Sequence, residues 1–285
     1  MNPAEYPKSV FTEIYGLSCV ENLILYLLKT KKIAYQNLYC DSFLTFHEIE
    51  QAFYMDRCSY ASFHRIQRLQ EIATREKIIH MELLDGDFSF ASEGERHWLV
   101  MVNPNFARDK YKRELWRNDH FILLSPGENR CFNYLNDNPY DTGIITSEEF
   151  YRYYQGEAVA VEIINRHFRY ENRVYARKLL ESVHTDTARC DWDGIARDTV
   201  RDTVGILRII RRRMFSLLSS EYDVSFMTPF LKSFDRVYAA LEYMRLKKQA
   251  DDSRIRQLRE SVMEDDRRML YQIICITEKE LSRNN

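Results

Sequence analysis

The chain is poor in the residues and segments that mark several protein classes. Its 285 residues include only 8 Gly and 6 Pro, and no segment is low in complexity or long enough to read as a linker. No apolar run approaches the roughly 18 residues of a membrane span, and the N-terminus lacks the basic and apolar regions of a signal peptide. We therefore expect no membrane partner and one or two globular domains.

Cysteine and charge exclude further classes. The chain has six cysteines without a CxxC pair, at positions 19, 40, 58, 131, 190 and 275. This scatter excludes a zinc framework and a disulfide scaffold, and it favours a cytoplasmic location. Because 41 basic residues balance 43 acidic ones, the sequence gives no electrostatic reason to expect a nucleic-acid partner.

Up to about residue 165 the pattern mixes helix and strand. It predicts helices over 19–31, 45–55, 62–76 and a short one from 147, and strands over 78–84, 97–102, 120–124, 131–135 and 158–164. The third and fourth strands are joined by a turn-rich pentapeptide, which is typical of a hairpin. We read 136–143 as turn.

From about residue 170 the pattern is helical. A start at Thr228-Pro229 and a last helix over 252–281 predict a bundle of three or four helices, which either dimerises or covers the cleft. The fold class is thus α+β, with an α+β domain over 1–168 and a helical domain over 169–285. Arg208 and 211–213 form a basic cluster, either a solvated helix face or a docking site for an anionic partner.

Cys19 is the first candidate for chemistry. Ser18 and Glu21 fit a capping box, so the pattern places Cys19 at the first position of a helix. Unpaired backbone N–H groups and the positive end of the helix dipole surround that position, and they can lower the pKa of a thiol and make it a nucleophile. The alternative is a small buried apolar cysteine.

An imidazole and a group that orients it would complete such a site. His120 begins a strand after a polar stretch, and Asn136 and Asp137 follow it by 16 and 17 residues, at the end of the next strand. Either side chain can accept the imidazole N–H and fix its tautomer. Since neighbours on a strand face opposite ways, only one should serve, and we favour Asp137. His97 is the rival base.

These motifs resemble a known enzyme family. Cys at a helix start, His-Phe-Ile-Leu-Leu, a turn and a strand, Asn-Asp-Asn-Pro, and Ser-Glu-Glu-Phe are similar to papain-like cysteine enzymes, over residues 10–165. The resemblance is to the N-terminal family of the butirosin-biosynthesis protein H and, more distantly, to bacteriocin-leader peptidases. It implies a papain-like fold, with an N-terminal helix packed on an antiparallel sheet.

The resemblance also implies acyl chemistry at a thiol. Cys19 would be the nucleophile, His120 the general base and acid, and Asp137 or Asn136 the orienting group. The substrate would be an acyl group on the phosphopantetheine of an acyl or peptidyl carrier protein in bacterial polyketide or nonribosomal peptide biosynthesis. A small-molecule amine or water would accept it, and the enzyme itself would need no metal and no cofactor.

One departure from the family concerns the oxyanion hole. Papain-like enzymes often carry a Gln shortly before the Cys, whereas this chain has Thr12-Glu13-Ile14-Tyr15 there. The backbone N–H of Cys19 would then bind the oxyanion, with the Tyr15 hydroxyl as helper. We expect a transferase or thioester hydrolase. The alternatives are a cysteine peptidase or amidase, and a degenerate papain-like fold that serves as a binding or scaffold protein.

Overall fold

The computed structural model describes residues 15–33, 35–54, 77–85, 96–164, 197–219, 222–248 and 251–283. In chain order, the elements are α1 (Cys19–Thr30), a 3₁₀ helix (Tyr35–Phe43), α2 (Phe46–Tyr54), β1 (Ile79–Asp85), β2 (His97–Val102), α3 (Pro104–Tyr111), β3 (His120–Pro126), β4 (Cys131–Asp137), β5 (Tyr140–Thr146), α4 (Ser147–Tyr151), β6 (Tyr154–Ile163), α5 (Arg197–Leu218), α6 (Met227–Leu246) and α7 (Asp252–Arg283).

The chain divides into two compact units, and one of them combines residues from both sides of the predicted boundary at 168/169. Of the described residues, those up to Leu38 and those in 77–164 form the first unit. Those in 39–54 group with the helices that begin at Arg197 and form the second unit. The predicted division at 168/169 assigned 39–54 to the first domain.

The first unit is built on a six-stranded sheet in the order β1-β6-β2-β3-β4-β5, and every pairing in it is antiparallel. The coarse α+β class is therefore confirmed. Helix α1 packs on β3 and β4. The residues of α1 from Leu23 to Leu28 are all buried, which is the pattern of a helix enclosed on every side.

The other face of the sheet carries an aromatic core. Alternate residues of the strands enter it together with Phe106 of α3 and Phe150 of α4, and they include Trp98, Val100, Ile122, Leu124, Phe132, Tyr134 and Ile145. At about 25 cal/mol per Å² of buried apolar surface, side chains of this size each contribute roughly 2 kcal/mol. This packing fixes the ends of β3 and β4, from which the polar candidates come.

Two elements differ from the sequence-based expectation. Residues 140–143, predicted as turn, belong to strand β5, because the chain reverses tightly at Asn138 and Pro139. Helix α3 was not predicted, although Asn103 caps it and Pro104 occupies its first turn. The predicted helix over 62–76 lies outside the described residues.

The described residues of the second unit are mainly helical, as predicted for the part that begins at Arg197, and α2 packs on α5 within this unit. Two of the four arginines in the basic cluster of α5, Arg211 and Arg213, do not lie on a solvated face, whereas Arg208 and Arg212 are partly exposed and pair with Asp235. Arg211 is fully buried, pairs through two nitrogens with Asp266, and donates to the backbone oxygens of Ser42 and Leu44. The guanidinium of Arg213 is also buried and stacks on a tyrosine ring. Helix α6 begins at Met227, two residues before Pro229, the expected first helical position.

Candidate active site

Cys19 opens α1, as the capping pattern predicted. Ser18 is the N-cap, and its hydroxyl accepts a hydrogen bond from the backbone N–H of Glu21 at 3.2 Å. The Glu21 carboxylate reaches back to the backbone N–H of Leu17 at 2.6 Å, one residue beyond the usual partner in a capping box. The start of the helix is thus fixed on both sides, and the position of the thiol is fixed with it.

Cys19 is a free cysteine, and it is only partly exposed. Burial raises its pKa, because the thiolate loses hydration there. Hydrogen bonding from the Phe121 backbone lowers the pKa, the negative charge of Asp137 raises it, and the backbone of Val20 and of Cys19 itself lowers it. The net direction is upward, so the expectation of a lowered pKa at this helix start is wrong: desolvation outweighs the N–H groups.

His120 and Asp137 are hydrogen-bonded to each other. The imidazole Nε2 lies 2.9 Å from Oδ1 of the Asp137 carboxylate, and the two side chains are 16% and 5% exposed. Because a carboxylate only accepts, Nε2 carries the proton and Nδ1 is the nitrogen that can take up another one. The Cys19 sulfur interacts with the backbone of Phe121, the next residue after His120, through a hydrogen bond. It also interacts electrostatically with the charge of Asp137. Thiol, imidazole and carboxylate are therefore gathered at one place.

The second oxygen of Asp137 is also used. Nδ2 of Asn22, which lies on α1 one turn after Cys19, donates to Oδ2 of Asp137 at 3.0 Å. The carboxylate is thereby held between α1, which carries Cys19, and β3, which carries His120. Sequence reasoning missed Asn22; its i+3 spacing from Cys19, which places both on one face of α1, was the available signal.

A tryptophan covers the imidazole. The Trp116 ring stacks on His120, with centroids 4.2 Å apart, and on Phe106 at 5.8 Å. Its indole N–H donates to the backbone oxygen of Asn138 at 2.8 Å. The indole thus packs on one face of the imidazole and restricts its rotation. The sequence showed Trp116 only as part of the polar stretch before β3.

Asn136 does not contact His120. Its side chain is fully buried, and Nδ2 donates to the backbone oxygen of Pro139 at 2.7 Å and to the Tyr111 hydroxyl at 3.3 Å. Oδ1 is buried without a hydrogen-bond partner among the residues that the structure describes. The alternation along β4 turns this side chain away from the imidazole, so of the two candidates the structure brings Asp137 to His120.

Behind Asn136 lie two tyrosines with strongly raised pKa values. Burial raises the pKa of Tyr134 above its ordinary range, and a hydrogen bond to Asp141, at 2.5 Å, raises it further. The pKa of Tyr111 is raised by burial and by the charge of Asp141. Both phenols are therefore neutral hydrogen-bonding groups, and they support the end of β4.

The remaining candidates lie elsewhere or stay predictions. His97 begins β2, where Nδ1 lies 2.8 Å from Oγ of Ser125. His120 pairs with Val102 at the other end of that strand, about 16 Å away at 3.3 Å per residue, so His97 is not the base of this site. Tyr15 is partly exposed in the segment before α1, and its part in an oxyanion hole stays a prediction.

Comparisons with known proteins do not assign this chain to a family. No model of a protein family matches the chain, and a search of curated proteins finds no match. Within the described ranges, no group of three or more His, Cys, Asp or Glu side chains is arranged to hold a metal ion. The helices in that same part of the chain include none that is both long and apolar enough to cross a membrane.

Proposed function

We propose that the chain is a cysteine-dependent acyl-transfer enzyme with a papain-like core in its first unit. The observation that carries the proposal is the 2.9 Å hydrogen bond between His120 and Asp137, formed next to a thiol at a helix start. Thiol catalysis needs a sulfur, a base and a group that orients the base, and this constellation supplies one of each.

The raised pKa of Cys19 sets the order of events. The thiol is protonated at neutral pH, so the proton passes from sulfur to Nδ1 of His120 as the sulfur attacks the acyl carbon. The negative charge moves to the acyl oxygen, where the N–H groups of Cys19 and Val20 at the open end of α1 bind it. Collapse expels the leaving thiolate, which takes the proton from the imidazolium, and leaves an acyl-enzyme.

The second half-reaction reverses the roles. An amine or a water molecule attacks the acyl-enzyme and gives a proton to Nδ1 of His120. The Cys19 sulfur then leaves and recovers that proton, and the product is an amide or a carboxylic acid. Asp137 keeps the imidazole in the tautomer that both steps need.

The chemistry favours a thioester as the acyl donor. A thiolate is a better leaving group than an amine, so a thioester needs less stabilisation of the oxyanion than a peptide does. This suits a site without the expected Gln before the nucleophile. Carrier-protein thioesters are the proposed natural donors, and a cytoplasmic bacterial biosynthetic pathway is the proposed setting.

Intact-protein mass spectrometry with acyl-N-acetylcysteamine thioesters tests this function. Wild type is expected to gain one acyl mass, Cys19→Ala none, and His120→Ala far less at early times. Cys275→Ala is the matched control, because Cys275 is an exposed free thiol on α7 and its loss should leave the adduct unchanged. An adduct that disappears in Cys275→Ala, or no adduct and no turnover with several thioesters, contradicts the proposal.

One observation favours a second candidate, a catalytically degenerate papain-like binding protein. The raised pKa makes Cys19 a poor nucleophile unless His120 takes its proton. In that case a thiol-selective electrophile would label Cys19 no faster than the exposed Cys275 at neutral pH. Faster labelling of Cys19, lost in His120→Ala, rules this candidate out.

A further inference from the structure

Asn22 connects α1, which carries Cys19, to the Asp137 carboxylate, which bonds to His120. Its amide donates to Oδ2 of Asp137, 115 residues away along the chain, while Oδ1 of the same carboxylate bonds to His120. Since a carboxylate only accepts, the NH₂ of Asn22 faces Asp137 and its oxygen points the other way. With both oxygens engaged, the plane of the carboxylate is fixed.

The oxygen side of the Asn22 amide lies against a glycine. A Cβ built on Gly16 would lie 1.8 Å from Oδ1 of Asn22 and 2.7 Å from its Cγ, far inside van der Waals contact. The backbone nitrogen of Asn22 would be 3.0 Å away. Gly16 does not have a left-handed φ, so glycine is needed here for space and not for backbone conformation.

We propose that Asn22 is a positioning residue for the catalytic carboxylate, and that Gly16 fixes the amide of Asn22 in the orientation that does this. The inference rests on the proposed function, because it assigns Asp137 a catalytic partner. Displacing the amide frees Oδ2 of a carboxylate that is only 5% exposed, and the carboxylate then turns away from the imidazole. Misplacement of a catalytic group by about 1 Å can lower a rate by roughly 100-fold.

A double-mutant cycle tests the chain of contacts. Asn22→Ala and Gly16→Ala are each expected to slow single-turnover acylation of Cys19 by about 10- to 100-fold. Asn22→Ala removes the Cγ and Oδ1 atoms, so in Gly16→Ala/Asn22→Ala the clash of the new Cβ with this side chain disappears and only the 3.0 Å contact with the backbone nitrogen of residue 22 remains. The double variant should therefore be no slower than Asn22→Ala alone. Multiplied losses would overturn the role of Gly16.

A second readout separates positioning from loss of structure. The rate of iodoacetamide alkylation at Cys19 should fall at pH 7 in Asn22→Ala and approach the wild-type rate at alkaline pH, where hydroxide removes the thiol proton without help from His120. An equal loss at both pH values, or none at pH 7, overturns the proposal. If Gly16→Ala fails to fold, Asn22→Ala carries the test, since it only removes atoms.

Matched controls use the same substitutions elsewhere in the first unit. Asn133→Ala removes an amide that donates to the backbone oxygen of Pro126 at 3.1 Å, and Gly127→Ala places a Cβ 2.7 Å from the backbone oxygen of Cys131. Both should alter stability without changing the pH profile of alkylation.

The two readouts also distinguish the two proposals. A shifted alkylation profile in Asn22→Ala with no thioester adduct in wild type defeats the acyl-transfer function and leaves the positioning role standing. Normal acylation in both single variants defeats the positioning role and leaves the function standing.

Discussion

Replacing Asp137 by Ala should slow acylation of Cys19 about 10- to 150-fold. The substitution removes the acceptor of the 2.9 Å bond from His120, and that bond strengthens when the imidazole becomes charged during attack. Hydrogen bonds to charged groups contribute about 1.5–3 kcal/mol, and each 1.36 kcal/mol corresponds to a tenfold change in rate. The loss should fall on the acylation rate and leave substrate binding unchanged.

Replacing the neighbouring Asn136 by Ala should have the opposite profile. Its amide donates to the backbone oxygen of Pro139 and to the Tyr111 hydroxyl, and it has no contact with His120. Loss of these two hydrogen bonds at a fully buried position should lower the free energy of unfolding by about 1–3 kcal/mol. The acylation rate per folded molecule should stay at the wild-type value.

The assay pairs single-turnover acylation, followed by intact mass, with urea unfolding of each variant. The reasoning is refuted if Asn136→Ala stops acylation while folded, or if Asp137→Ala acylates at the wild-type rate. Asp137→Asn adds a geometric control. Its amide would point NH₂ at either His120 or the NH₂ of Asn22, so this isosteric change should also slow acylation.

Two further predictions concern stability. Burial raises the pKa of the Cys19 thiol and of the Tyr134 phenol, so the unfolded chain loses these protons at a lower pH than the folded chain does. The free energy of unfolding should therefore fall as pH rises above about 9 to 10. Urea titrations should show a shallower fall in Tyr134→Phe. Asp266→Ala should lower the free energy of unfolding by about 3–5 kcal/mol, because it leaves the buried Arg211 uncompensated. Asp198→Ala, which removes an exposed carboxylate from Arg201 and leaves that arginine its partners Asp202 and Glu242, should change it by at most about 1 kcal/mol in the same titration.

The parts that the sequence predicted rest on short-range signals. The start of α1 follows from the side chains of Ser18 and Glu21, which satisfy backbone groups within a few residues. The hairpin of β3 and β4 follows from a turn between two apolar runs, and the hairpin in turn brings Asp137 back to His120. A pairing 17 residues apart was thus accessible because one local motif determines it.

The parts that were missed depend on packing between distant segments. Residues 136–143 carry several turn-forming residues, yet only two of them turn, and Gly143 lies in a strand. The Tyr134 side chain explains this glycine, because a Cβ at position 143 would lie 2.8 Å from the ring. The pattern of one strand could not reveal a requirement that its neighbour imposes.

Charge shows the same limit in the second unit. Four arginines within six residues of α5 read as a surface feature, since arginine is rarely buried. Arg211 is instead buried because Asp266, 55 residues later, pairs with it, and because two backbone oxygens from the segment before α2 complete its hydrogen bonds. Only the tertiary fold identifies these partners.

The thiol itself is where local and tertiary effects oppose each other. The helix start supplies N–H groups that lower the pKa of Cys19, as the sequence indicated, but burial and the Asp137 charge raise it by more. Asp137 thus has two opposite effects: it disfavours a free thiolate and favours a charged imidazole. In the proposed mechanism the sulfur therefore stays neutral until a substrate arrives, and its attack depends on His120. If that mechanism operates, the placement of the Asp137 carboxylate by Asn22 should bear directly on the rate of acylation.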